Sequence, residues 1–322
     1  MSQFLADHLP AFWVVTLITA GLNAIITVGL YFSSSAGALS ACHAAIAGMG
    51  GYVGAVLTTN FDWPFPVAVL VGGAVGFATG MLLALVTLRM NELVAGLTTL
   101  AFGETMVIIA FNVDYIGGAN GFMGIPLETT FDAVFLVLAI VMFAAWRFDR
   151  SRLGYAARAC RDNHSAAAAM GINITWVKMM VFALGAAIAG VGGVLRAHYV
   201  LVQIPDDMGF YASVNYVIFW VFGGSYSFWG SLFGAMFLTI LPELLRFSVY
   251  DRFIMYGVIL TAIVILRPQG VITRMPLGRQ PTWLGLLPWL KPKPRPPGSS
   301  AAMSAVTARR GSGRGNPKEP TE

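Results

Sequence analysis

The sequence predicts an all-α polytopic membrane protein with about nine transmembrane helices, its N-terminus outside and its C-terminus cytoplasmic. Three observations predict it. Of 322 residues, 57% are hydrophobic and only 11% charged, with a mean hydropathy of +0.72; a soluble chain carries about one-quarter charged residues. Uncharged runs recur at span length, because a helix crossing about 30 Å of hydrocarbon needs roughly 20 apolar residues. The charges are also segregated. Residues 267–322 hold ten basic and two acidic groups, residues 147–162 hold five Arg and two Asp, and the rest of the chain carries −6.

Taken in order, residues 8–61 are free of formal charge and accommodate two spans with a polar turn at Ser33, Ser34 and Ser35. Residues 63–88 make a third span and 93–111 a fourth, interrupted only by Glu104. A fifth runs from near Thr129 to Trp146, and residues 179–195 are the core of a sixth. Residues 208–242 suit two short spans joined at Gly223, Gly224 and Ser225, and residues 253–266 close the set. The first apolar segment lacks a basic leader region and reads as a true span. Continuous apolar stretches of this length exclude barrel strands, which alternate over about ten residues.

Orientation follows from Lys and Arg, which stay on the cytoplasmic side in short loops. Arg89, the 147–161 cluster and the 267–318 tail belong inside, and counting spans from each agrees. Asp62, Asp114, Glu128, Asp132, Asp206, Asp207 and Asp251 then fall outside, with Arg252 as an exception. These counts divide the chain into an outer N-terminus at 1–10, a transmembrane domain at 11–272 with a polar loop at 147–174, and a basic cytoplasmic tail at 273–322. The Pro-, Gly- and Ser-rich tail, with KPKPRPP at 291–297, cannot bury a core and is expected to be disordered. Its basic start could rest on anionic lipid, and WLGLLPWL at 283–290 is too short to span. No nucleic-acid partner is implied. Cys42, in a span, and Cys160, in a cytoplasmic loop, are expected to stay reduced.

Gly72, Gly76 and Gly80 form a ladder of small residues, repeated by Gly50 with Gly54, Ala189 with Gly193, and Gly230 with Gly234; such pairs let helix backbones approach closely in lipid. GMGGYVG at 48–54 lies inside a membrane run and is not a nucleotide loop. The chain has no phosphate-binding loop, no Cys/His metal spacing, no HExxH and no GxSxG. A membrane chain without a catalytic cluster is one that moves something or scaffolds something. Neither cofactor nor metal is expected.

Polar groups inside spans mark helix contacts or a path, since a carboxylate near the bilayer centre costs at least about 2.5 kcal/mol. Glu104 is the deepest, with Asn23 and His43 as weaker candidates. Between spans, the Ala-rich stretch from Tyr155 to Met170 has high helix propensity; Asp162 and Asn163 can cap its second half and Gly171 ends it. A short basic-flanked helix of this kind is either a solvated loop or an element a peripheral partner grips.

SRLGYAARACRDNHSAAAAMGINITWVKMMVFALGAAIAGVGG at 151–193 resembles the cytoplasmic loop and following helix of LivM-type permeases, the membrane subunits of branched-chain amino acid ATP-binding-cassette importers. LSACHAAIAGMGGY at 39–52, TTLAFGET at 98–105, IGGANGFMGIP at 116–126, LPELLR at 241–246 and LRPQG at 266–270 resemble further landmarks in the same order, over about residues 15–272. The resemblance implies a permease subunit of the bacterial inner membrane, paired with a LivH-like second permease subunit. Two ATPase subunits would use the ATP, and a periplasmic binding protein would deliver substrate. It also implies that the loop is a coupling helix, with Arg152, Gly154, Arg158, Asp162, Asn163, Gly171 and Asn173 at matching positions. The path would involve Asn23, His43, Glu104, Gly117, Gly118, Asn120 and Gly121. Departures from the pattern are Cys42 before the histidine, Tyr226 after the Gly223–Gly224 pair, and RMNELVAG at 89–96. An aliphatic amino acid is the default substrate; urea and small organic acids belong to related permeases. A self-contained secondary transporter or channel is the alternative from another class, and a membrane scaffold or enzyme a third.

Overall fold

The computed structural model describes residues 10–87 and 90–244, with the single positions 257, 261, 270 and 272. The chain divides into two units, Met1–Arg274 and Met275–Glu322, and every described residue belongs to the first. The expected ninth span at 253–266 and the basic tail fall almost wholly or wholly outside the described residues.

Each apolar run among the described residues becomes a helix, since lipid offers no partner to backbone N–H and C=O groups. Six long helices come first or dominate the middle: α1 (Ala11–Ser34), α2 (His43–Asn60), α3 (Phe65–Thr87), α4 (Glu92–Asn112), α5 (Phe131–Asp149) and, after two short ones, α8 (Ile174–Val200). The short pair is α6 (Arg152–Asp162) and α7 (His164–Ala169); α9 (Phe210–Gly223) and α10 (Phe228–Leu244) follow α8. Five of these, α1, α3, α4, α5 and α8, are long and apolar enough to cross a membrane. The stretches Pro205–Gly223 and Phe228–Leu244 meet that test together as a pair bent by 120°. The bend falls at the glycine-rich turn the sequence marks as a joint.

α8 is the axis of the bundle, packed against α1, α2 and α3. Glycine makes those contacts possible. A methyl group on Gly193 would collide with the Ala47 carbonyl, one on Gly190 with the Gly72 carbonyl, and one on Gly76 with that of Ala186. The small-residue pairs read from the sequence are therefore contact surfaces, including Gly230 and Gly234, which meet Gly223.

Contacts also give each helix its direction. Thr58 meets His198 and Ala47 meets Gly193, so α2 runs parallel to α8. Ser33 bonds the Phe182 carbonyl at 3.2 Å while Ile26 faces Gly192, so α1 runs against it; α3 does likewise, with Gly72 beside Val194 and Gly80 beside Ala183. α5 lies parallel to α1, joined by Val134 against Gly21 and Tyr31 to Asp149, and α10 lies antiparallel, joined by Asn23 to Thr239 and by the Tyr31 ring beside that of Phe228. The 35–42, 150–173 and 224–227 connections and residues 90–91 consequently share one end of the bundle, and 61–64 and 113–130 the other.

After α8 the chain turns back into the bundle. Leu201, at φ 67°, ends the helix, and Val202–Gln203 pairs antiparallel with Phe122–Met123, in the register Phe122 to Gln203 and Met123 to Val202. A 3-10 turn at Pro205–Met208 then buries Met208 against Gly48 of α2, and Gly209 lies beside Glu104 of α4. α9 thus starts at mid-depth. Its 14 residues rise only about 21 Å, too short to span alone.

Candidate functional site

Two places concentrate polar chemistry: the α6–α7 pair at one end, and a cleft beside the re-entrant segment near the other. α6 is capped by Ser151, whose hydroxyl accepts from the Gly154 N–H at 3.1 Å. The Ala-rich stretch is not one helix. It breaks at Asn163, whose side chain caps α7 by accepting from Ala166 N at 3.0 Å, while Asp162 is exposed and caps nothing. Gly171 takes the left-handed conformation, φ 80°, that closes the pair, and Asn173 caps α8 by accepting from Trp176 N at 3.1 Å.

What anchors this pair is a knot of three elements. Arg158 folds back so that Nη1 donates to Asp149 Oδ1 at 3.0 Å and Nη2 to the Asp149 carbonyl at 2.6 Å. The Tyr31 hydroxyl donates to the same Oδ1 at 2.6 Å. α6 is thereby tied to α5 and α1 through a carboxylate only 6% exposed. Gly154 permits the approach, since a side chain there would strike the Phe148 carbonyl. At the far end of α6, Arg161 lies over the Tyr226 ring at 4.3 Å, tying it to the α9–α10 turn. His164 meets both the Cys160 carbonyl and, at 3.0 Å, Lys178 of α8. Arg152 and Asp162 are exposed, as are Tyr155 and Met170, the latter 83% exposed at the tip.

The intramembrane candidates separate into enclosed groups and groups that border a cleft. His43 is fully enclosed: its Nε2 meets Ser33 Oγ at 3.1 Å and its Nδ1 meets Ser40 Oγ at 3.0 Å, locking the α1–α2 connection. Thr99 supports the same turn by accepting from Ala41 N at 3.0 Å. Gly117, Gly118 and Gly121 all have positive φ, and Gly121 packs on the Gln203 carbonyl, so this loop carries the re-entrant segment; Asn120 is exposed. Glu104 faces Gly209, with Oε1 enclosed and no hydrogen-bond partner among the described residues.

Asn23 belongs to a chain of polar groups. It donates to Thr239 at 3.1 Å and accepts from Tyr216 at 3.4 Å; Tyr216 accepts from Arg196 Nη1 at 3.0 Å, and Arg196 Nη2 donates to Asp207 at 3.2 Å. These groups border a cleft of about 390 Å³ between α1, α8 and α9, lined also by Asp206 and Tyr211. Arg196 and Asp207 are absent from the sequence-derived site. An arginine four residues from the end of a 27-residue apolar helix is the signal the sequence offers for it.

Residues 13–266 match the family described as "Branched-chain amino acid transport system / permease component". The chain belongs to this family. Among its relatives in it, the high-affinity branched-chain amino acid transport permease LivM of Salmonella typhimurium is 27% identical, over 79% of this chain and 67% of its own length. LivM of Escherichia coli K12 is 26% identical over the same shares, and LivH of Salmonella typhimurium is 29% identical over 51% of this chain and 54% of its own. No solved structure matches the chain. The LivM-type resemblance read from the sequence landmarks is therefore borne out. Within this permease family four of the six landmarks acquire structural meaning: 39–52 and 98–105 build the His43–Thr99 turn, 116–126 props the re-entrant segment, and 151–193 supplies the α6–α7 pair and its axis helix, while 241–246 and 266–270 fall partly or mostly outside the described residues.

Proposed function

We propose that the chain is the membrane-spanning permease subunit of an ATP-binding-cassette importer, moving branched-chain or other small amino acids from periplasm to cytoplasm across a bacterial inner membrane. The observation that carries this reading is the family match over nearly all of the described bundle. The chain supplies a path and no ATPase site; a LivH-like subunit, two ATPases and a periplasmic binding protein complete the machine. Nine spans are counted when α2, α9 with its re-entrant lead, α10 and residues 253–266 join the five long apolar helices. The N-terminus is then outside. Arg147, Arg150, Arg152, Arg158, Arg161 and Lys178 all gather at the end that carries α6 and α7, which supports a cytoplasmic position for that end.

Coupling runs through α6 and α7. Arg152, Asp162, Tyr155 and Met170 present the surface an ATPase groove would hold. Gly154, Arg158, Asn163, Gly171 and Asn173 shape and anchor that surface, so force on it reaches α5 and α1 through Asp149. Small-residue contacts around α8 let the helices shift with little cavity formation. The test is reconstitution: with all partners and ATP, proteoliposomes take up leucine, isoleucine or valine, and omission of the ATPases abolishes uptake. Uptake by the purified chain alone would instead support a self-contained transporter or channel, for which the Glu104 oxygen that has no hydrogen-bond partner among the described residues is the candidate ion-coupling group.

A further inference from the structure

We propose that the cleft between α1, α8 and α9 holds the charged head of the transported amino acid, with Arg196 receiving the carboxylate and Asp206 with Asp207 receiving the ammonium group. This deepens the reading above and rests on it. The position is unusual for a purely structural ion pair. Arg196 and Asp207 keep 30% and 29% of their side-chain surface exposed and border a space of about 390 Å³, within the roughly 300–1,000 Å³ of small-molecule sites. The Arg158–Asp149 pair, by contrast, closes over its carboxylate.

The donor and acceptor sets match a zwitterion. Of the five N–H donors of a guanidinium, Arg196 engages two within the described protein, one to Tyr216 and one to Asp207. The remaining donors suit a carboxylate in the forked geometry that arginine favours. Asp206 is exposed and its carboxylate takes no hydrogen bond among the described residues. A zwitterion entering between Arg196 and the two aspartates leaves the net charge of the site unchanged and alternates the signs. Leu22, Tyr199 and Phe219 supply apolar wall for an aliphatic side chain.

The open side of the cleft is polar as well. Tyr211 is 84% exposed and Asn215 is exposed one turn later on the same face of α9. Exposed polar side chains at membrane depth line water or another protein surface rather than lipid. Through Tyr216, Arg196 is linked to Asn23 of α1 and onward to Thr239 of α10, so displacement of Asp207 from Arg196 is felt by α10 and by α1, the helix that contributes Tyr31 to the coupling knot.

The experiment uses the assembled transporter with Asn215→Cys in the cleft; Cys42 and Cys160 are buried. Labelling by a water-soluble maleimide is followed with excess leucine, with 4-methylpentanoate, which lacks the ammonium group, and with isopentylamine, which lacks the carboxylate. Leucine is expected to slow labelling about tenfold and each single-charge analogue far less, as expected if one charge-assisted contact is lost. Arg196→Gln and, independently, Asp206→Asn are expected to remove the protection by leucine, while Arg196→Lys retains part of it. Asp206→Asn changes a side chain with no hydrogen bond to lose, so its effect does not report misfolding. ATP-driven leucine uptake by the Asn215→Cys transporter without protection, or protection unchanged in both charge-removing variants, overturns the site and leaves the permease reading standing. Absence of ATP-driven uptake of leucine, isoleucine and valine by the complete unsubstituted transporter overturns the permease reading itself.

Discussion

Arg158 and Arg196 both carry a fixed charge into a largely apolar bundle, and the contrast between them separates anchoring from access. Arg158 bonds both the side chain and the carbonyl of Asp149, and Tyr31 completes the carboxylate from a third helix. Removing one partner of a buried pair costs roughly 3–5 kcal/mol, and the 29% exposure of the Arg158 side chain lowers the expected figure to about 2 kcal/mol. Arg158→Glu goes further, placing a carboxylate against Asp149. It is expected to abolish ATP-driven uptake while the protein remains in the membrane fraction, as immunoblotting and transport assays would check; normal uptake would count against the knot as the mechanical link. None of these partners is legible in the sequence, because Tyr31, Asp149 and Arg158 are 118 and 9 residues apart along the chain and meet only when α1 lies parallel to α5. Arg158 was flagged by its place in a motif, and Tyr31 by nothing.

At the scale of elements, the Ala-rich stretch illustrates what local chemistry decides. Its caps were partly readable: Asn163 and Gly171 act where the sequence places them. The break between α6 and α7 falls where the sequence offers the Asn163 cap, since Asp162, Asn163 and His164 interrupt the alanines with poor helix formers, and contacts at Arg158, Arg161 and His164 hold the two pieces in place. Gly171→Pro is expected to abolish uptake without loss from the membrane, because proline's φ of about −65° cannot reach the positive φ that closes the pair. Uptake at the level of the unsubstituted protein would show that the exact path of α7 into α8 does not matter. The re-entrant segment is the unforeseen element. Residues 200–210 read as the edge of two spans, yet Gly48, Gly51 and Gly121 leave space into which Gln203 and Met208 descend.

For the whole molecule, the placement of basic residues at one end leads to a labelling prediction. Met170→Cys is expected to react with an impermeant maleimide only from the cytoplasmic face, in inside-out vesicles, and Asp114→Cys only in right-side-out vesicles. The reverse pattern would invert the proposed topology. The native thiols leave a quiet background: Cys42 and Cys160 are buried, and burial pushes the Cys160 thiol above its ordinary range, only partly offset by Lys178. Less thiolate, the reactive form, is therefore present at neutral pH, and reactivity rises only as pH climbs toward that raised value. Both native cysteines should label after unfolding in detergent.

Sequence alone determined the class of this protein, its main apolar helices, the small-residue contact faces and the family, because each depends on composition, period or ordered local motifs. It could not determine which helix is the axis, that α9 begins at mid-depth, or that Arg196, Asp207, Tyr216 and Asn23 form one connected cleft. Those features join residues up to 193 positions apart, from α1, α8, α9 and the segment before it. Their meeting depends on how glycine and alanine faces seat three helices around α8, and that is a property of the packed bundle rather than of any one stretch of chain.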